Sequence, residues 1–162
     1  MYGGNFDDAN CGIGWNGKTG SDANFAGVDI PTADMRLTYT KVLSRSKAFS
    51  TDYQRNVASV VGNINNAPFK GWQTGEVMFL GCSYSTPEKS RDKITVTFNF
   101  KIQQNEKNAS ISGIPIGQKY GFDYIWVRSG TVVNSSSLPE NKIESIYLSR
   151  VCEFADFRKL GL

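Results

Sequence analysis

The chain has 162 residues, enough for one domain and too few for two catalytic modules of ordinary size, and its 40% apolar and 12% aromatic content sets it apart from disordered chains. It contains no histidine, which removes Ser-His and Cys-His nucleophile pairs, the HExxH zinc site and any imidazole base, so the expectation is a protein that is not an enzyme and uses no cofactor or metal. A net charge of +3 is too mild for a dedicated nucleic-acid binder, and nucleic-acid contact is expected to be incidental at most.

Residues 1–31 contain seven glycines among Asn and Asp, with Tyr2, Phe6, Trp15 and Phe25 scattered between them. The stretch has no helical or strand period and reads as an extended Gly/Asn-rich arm, its aromatics either pinned on the subunit's own body or inserted into a neighbour. Within it, Gly12-Ile13-Gly14-Trp15-Asn16-Gly17-Lys18-Thr19 satisfies both the phosphate-loop pattern and GxGxxG. A phosphate loop needs a buried strand before it and a helix after it, and the polar residues 5–11 and the Gly- and Pro-containing 20–31 offer neither, so nucleotide binding is not expected. Asp7, Asp8 and Asn10 lack the spacing of a calcium loop and read as a solvated acidic loop.

Residues 32–162 read as a single β-rich domain. Its start reverses the charge of the arm: residues 1–35 carry five aspartates against Lys18, whereas 36–55 carry Arg36, Lys41, Arg45, Lys47 and Arg55 against Asp52. These are either two separate solvated surfaces or the complementary halves of a head-to-tail contact between copies. Residues 35–43 favour a strand, and 52–61 a helix, since Tyr53, Val57, Val60, Val61 and Ile64 share one helical face, Thr51 and Gln54 form a capping box and Gly62 is placed to end it. Ser44 and Lys47 fit SxxK and Lys18-Thr19-Gly20 fits KTG, but the order is the reverse of that in penicillin-recognising enzymes, and chance explains the match.

Residues 77–80 are apolar on both faces and suit a central strand. The clearest strand is 93–103, where Ile94, Val96, Phe98, Phe100 and Ile102 alternate with polar residues, and the charged 83–92 before it reads as an exposed hairpin loop. Residues 122–128 and 143–151 supply two further strands, joined through the Ser-rich 134–137. Tyr120, Phe122, Tyr124, Trp126 and Arg128 could form a stacking platform for single-stranded nucleic acid, but their period of two favours core packing, and Trp72 is expected in the core as well. Cysteines at 11, 82 and 152 are too few and too widely spaced for a disulfide framework or a metal clamp and are expected to be reduced thiols. Two glycosylation sequons, at Asn108 and Asn134, are ordinary in a chain this rich in Asn and Ser. With its longest apolar run only 77–80, the chain is expected to be soluble and free of membranes. The fold class expected is α+β, mainly antiparallel β in a sandwich or barrel-like arrangement, with one packed helix and the N-terminal arm.

The segment Phe69-Lys70-Gly71-Trp72 through Gly75-Glu76-Val77-Met78-Phe79-Leu80-Gly81, the long alternating strand, Tyr124-Ile125-Trp126-Val127-Arg128 and the terminal Phe157-Arg158-Lys159-Leu160-Gly161 resemble proteins encoded among phage and prophage virion genes. The resemblance covers residues 50–162 and rests on packing motifs. It implies a virion structural protein, a homo-oligomeric subunit of a phage tail or neck assembled in the host cytoplasm, whose partners are copies of itself and other virion proteins with no small-molecule substrate. The self-association residues expected from the arm and the basic stretch are Tyr2, Phe6, Trp15, Phe25, Arg36, Lys41, Arg45 and Lys47. The alternative is a β-sandwich binding module that uses Trp15 or Trp72 against a glycan or host receptor.

Overall fold

The computed structural model describes residues 24–28, 34–87, 91–133 and 139–162. In chain order these form β1 (Asn24–Val28), β2 (Asp34–Ser44), α1 (Arg45–Ala48), α2 (Thr51–Ala58), β3 (Ile64–Asn65), β4 (Val77–Ser85), β5 (Lys93–Gln103), β6 (Ser110–Ile111), β7 (Ile114–Pro115), β8 (Tyr124–Val133), β9 (Pro139–Ser149), β10 (Phe154–Ala155) and a closing 3₁₀ turn (Phe157–Leu160). The class is α+β and rich in antiparallel strands, and the sheets are open rather than closed into a barrel. The described residues divide into two compact units, one containing β2–β5, β10, both helices and the 3₁₀ turn, the other β1 and β6–β9.

The first unit is built on a five-stranded sheet of order β10-β3-β4-β5-β2, antiparallel except for the β10–β3 pair. Strand β5 organises it, because its strict alternation puts Ile94, Val96, Phe98, Phe100 and Ile102 on one face with exposures of 1% or less. All eleven residues of β2 pair with β5, so Leu37, Tyr39 and Leu43 join that face. From β4 come Val77 and Phe79. Against this face pack Tyr53 and Val57 of α2 and Phe157 and Leu160 of the 3₁₀ turn. Phe100 is the hub, with ring centroids 5.2 Å from Phe79, 5.3 Å from Phe69 and 6.0 Å from Phe157.

Three local expectations are corrected here. Helix α2 begins one residue earlier than the capping box implies: Ser50, not Thr51, is the N-cap, its hydroxyl accepting from the Tyr53 amide. The helix also stops at Ala58, so Val60 is buried from the following turn, Ile64 is buried from β3 and Val61 is 46% exposed. Finally, 77–80 is not buried on both faces. The ladder to β5 shifts register between Phe79 and Gly81, leaving Leu80 as the extra residue of a bulge, exposed. Gly81 takes φ +119°, a value that L side chains rarely adopt, which lets the strand run on to Ser85.

The second unit is a three-stranded antiparallel sheet, β1-β8-β9, with the small β6–β7 hairpin. Ser112 and Gly113 both take positive φ, the backbone that a two-residue hairpin turn needs. Ile125 and Val127 of β8 are buried with Ile116, and Ile143 and Ile146 of β9 pack against them. Within the stretch read as an arm, Asn24–Val28 is a strand paired with β8 of the same chain. The positions of Tyr2, Phe6 and Trp15, the phosphate-loop match and the acidic Asp7 cluster lie outside the described residues. No helix among the described residues is long and apolar enough to cross a membrane.

Candidate functional site

The four cations expected to form a self-association surface do not share one face. Strand geometry sends Arg36 to the outer face of the five-stranded sheet, beside Lys101 of β5. Lys41, five residues on, falls on the core side, where its ammonium donates to the Gly161 carbonyl. Arg45 opens α1 and lies over the Phe49 ring, 5.3 Å from its centroid, while Lys47 is exposed in the same helical turn. The SxxK spacing has a local explanation, because Ser44 caps α1 by accepting from the Lys47 amide.

What the structure does assemble around β2 is an open edge. β2 is last in the sheet order: its eleven residues pair with β5 on one side and with no described strand on the other. Its backbone polar groups on that side are therefore a template for a further strand. Exposed apolar side chains accompany it, Met35 at 40% and Val42 at 55%, and just beyond it Phe49 at 47% stacks on Tyr84 with centroids 5.9 Å apart. Burial pushes the Tyr84 hydroxyl above its ordinary titration range, reinforced by its hydrogen bond with the Cys82 thiol. The Tyr84 hydroxyl is thereby not readied to ionise near neutral pH.

A buried polar network went unread in the sequence. Asn65 accepts from the Val77 amide at 2.8 Å and donates to the Ala67 and Gln73 carbonyls. The Glu76 carboxylate accepts from the Gln73 amide at 2.8 Å and the Asn105 amide at 3.0 Å. Asn105 in turn accepts from the Gly121 amide, and buried Lys119 donates to the Gly121 carbonyl at 3.0 Å. Asp123 accepts from the Tyr120 amide and from Arg150, whose guanidinium lies 4.5 Å from the Tyr120 ring centroid and 5.2 Å from that of Phe154. Nearly all of these bonds serve loop backbone, so the network clamps loops and presents no reactive group. Cys152 belongs to the same region, and burial, then the nearby Asp123 carboxylate, pushes its thiol up and keeps it protonated. Among the described residues no three His, Cys, Asp or Glu side chains gather as metal ligands would.

The aromatic run from Tyr120 is also corrected. Phe122 is buried, but β8 starts only at Tyr124, and from there Ile125 and Val127 take the core side. Tyr124 is 59% and Trp126 37% exposed on the opposite face, so neither is core. The period of two does not run through 120–123, which is a turn held by Asp123. Trp72 is half-buried and packs against the main core, as expected. No protein-family model matches the chain, and no curated protein or solved structure matches it significantly.

Proposed function

We propose that this chain is a structural subunit that assembles with copies of itself, and that its setting is a phage virion, in the tail or neck. The observation that carries self-assembly is the open eleven-residue edge of β2 with Met35 and Val42 exposed along it. A long free edge is costly to leave bare, since it invites pairing with any extended segment, and a repeating subunit satisfies it by adding a strand from its neighbour. Where the added strand is a different segment of the neighbour, the contact is heterologous, and rings or tubes follow when it repeats. The virion setting rests on the resemblance of the packing motifs at 69–81, 124–128 and 157–161.

The test is sedimentation of the intact protein and of the double variant Met35→Lys, Val42→Lys. Neither side chain belongs to the core cluster, since Val42 is exposed on the outer face and Met35, at 40%, stands at the margin of the core face beside Ile102, and placing charge along the edge is the usual natural means of blocking strand addition. The intact chain is expected to sediment as a concentration-dependent oligomer and the variant as a monomer. A variant that assembles as the intact chain does would remove β2 from the contact.

A further inference from the structure

Strand β2 is an unguarded edge, and the other edges of the described sheets are not. β10, β6 and β7 have two residues each and β1 five, too short to template a long pairing. β9 matches β2 in length, but it opens on Pro139 and carries Glu144 as the extra residue of a bulge where its ladder to β8 shifts register. All eleven residues of β2 pair with β5 without a break, and none is proline. An inward-pointing lysine such as Lys41 ordinarily protects an edge, but here its ammonium is engaged by the Gly161 carbonyl. The Arg45 amide donates to the Asp92 carbonyl at 2.8 Å, which continues the ladder and fixes its phase. The odd-numbered residues of β2 turn their N–H and C=O groups to β5, so those of Arg36, Thr38, Thr40 and Val42 face the open side. Among the described strands, the one that offers an equally long and regular row of free groups is β2 itself.

We propose, building on the self-assembly reading above, that the strand added to β2 is β2 of a second copy, running antiparallel about a two-fold axis at Tyr39. This is the register that pairs all eleven residues, from Asp34 against the partner's Ser44 to Tyr39 against the partner's Tyr39. Thr38 then exchanges backbone hydrogen bonds with the partner's Thr40, and Arg36 with the partner's Val42. Both exposed apolar side chains gain a neighbour: Met35 meets the partner's Leu43 on the core side, and Val42 meets the methylene stem of the partner's Arg36 on the outer face. No like charges stand opposite each other, since Lys41 meets the partner's Leu37. Neighbouring registers lose this match. An axis at Thr38 sets Met35 against the partner's Lys41 and Val42 against the partner's Asp34, and an axis at Thr40 leaves Met35 beyond the end of the partner's strand. The contact is isologous and closes as a dimer, so a ring or tube is built from such dimers through another surface.

Disulfide trapping tests the register. Facing residues that exchange hydrogen bonds have Cα atoms about 5.5 Å apart, within reach of a disulfide, while residues two positions off lie beyond about 7 Å. Thr38 and Thr40 are both exposed, so Thr38→Cys and Thr40→Cys keep the fold. Each is oxidised alone and in an equimolar mixture, beside the intact chain, whose three native cysteines set the background. The expected result is a disulfide-linked dimer band that rises above background in the mixture and stays at background in either variant alone. Sedimentation of the same samples separates this pairing from self-assembly itself. An intact chain that sediments as an oligomer while the mixture stays at background overturns the β2 pairing alone, as does a band of equal strength from either single variant. An intact chain that sediments as a monomer overturns both readings.

Discussion

A Cβ built on Gly121 falls 2.0 Å from the backbone oxygen of Gln103 and 2.6 Å from its carbonyl carbon. Backbone cannot step aside as a side-chain tip can, so Gly121→Ala should lower stability by about 1–3 kcal/mol, read from the midpoint of urea unfolding. Alanine at Gly130 is a useful contrast: there the near atoms belong to the Glu144 carboxylate, the far end of a flexible side chain, and a smaller loss is expected. Asp156 gives a pH-dependent case. Its carboxylate accepts from the Arg158 amide and guanidinium, which holds its titration below the ordinary carboxylate range. A depressed folded-state value means that the contribution is complete above the unfolded carboxylate range and is lost as pH falls through the folded value. Asp156→Asn, which keeps an acceptor for the cap, should therefore unfold with less acid dependence below about pH 4. Equal acid dependence of the two proteins would show that Asp156 contributes nothing to it.

Helix α2 shows how local signals place an element without fixing its ends. Ser50, Thr51 and Gln54 offer two overlapping caps, and the structure uses Ser50, so Ser50→Ala should cost about 1 kcal/mol and Thr51→Ala only a few tenths. Thermal unfolding of the two variants checks the order, and a larger loss in Thr51→Ala would restore the capping box. The strand alternation of β5 was fully legible, because one face of that strand is buried and the other is not. The bulge at Leu80 was not, since an extra residue in a ladder is a property of the pairing and leaves no mark in an apolar run. The aromatic face at Tyr124 and Trp126 was misread for a related reason: Ile125 and Val127 are as apolar as the residues they alternate with, so periodicity finds two candidate faces and cannot choose between them. Nor does any pattern announce the loop clamp around Glu76 and Asn105, whose partners stand 29 residues apart.

Assembly is a property of surfaces rather than cores, and β2 contributes the surface with the most unspent hydrogen-bonding capacity among the described strands of its sheet. Charge is secondary. With Lys41 turned to the Gly161 carbonyl, the basic stretch presents Arg36 on the outer sheet face, apart from Arg45 and Lys47 in the turn of α1, and not as one patch. Self-association through backbone pairing and the exposed Met35 and Val42 should therefore weaken only modestly as salt rises, whereas a contact made by opposed charge blocks would dissolve. Sedimentation velocity of the intact chain over a wide concentration range, at low and high salt and beside Met35→Lys, Val42→Lys, measures this most directly. The expected result is an oligomer that grows with concentration, survives salt and disappears in the variant while the thermal midpoint is unchanged; an intact chain that stays monomeric throughout the series would contradict it.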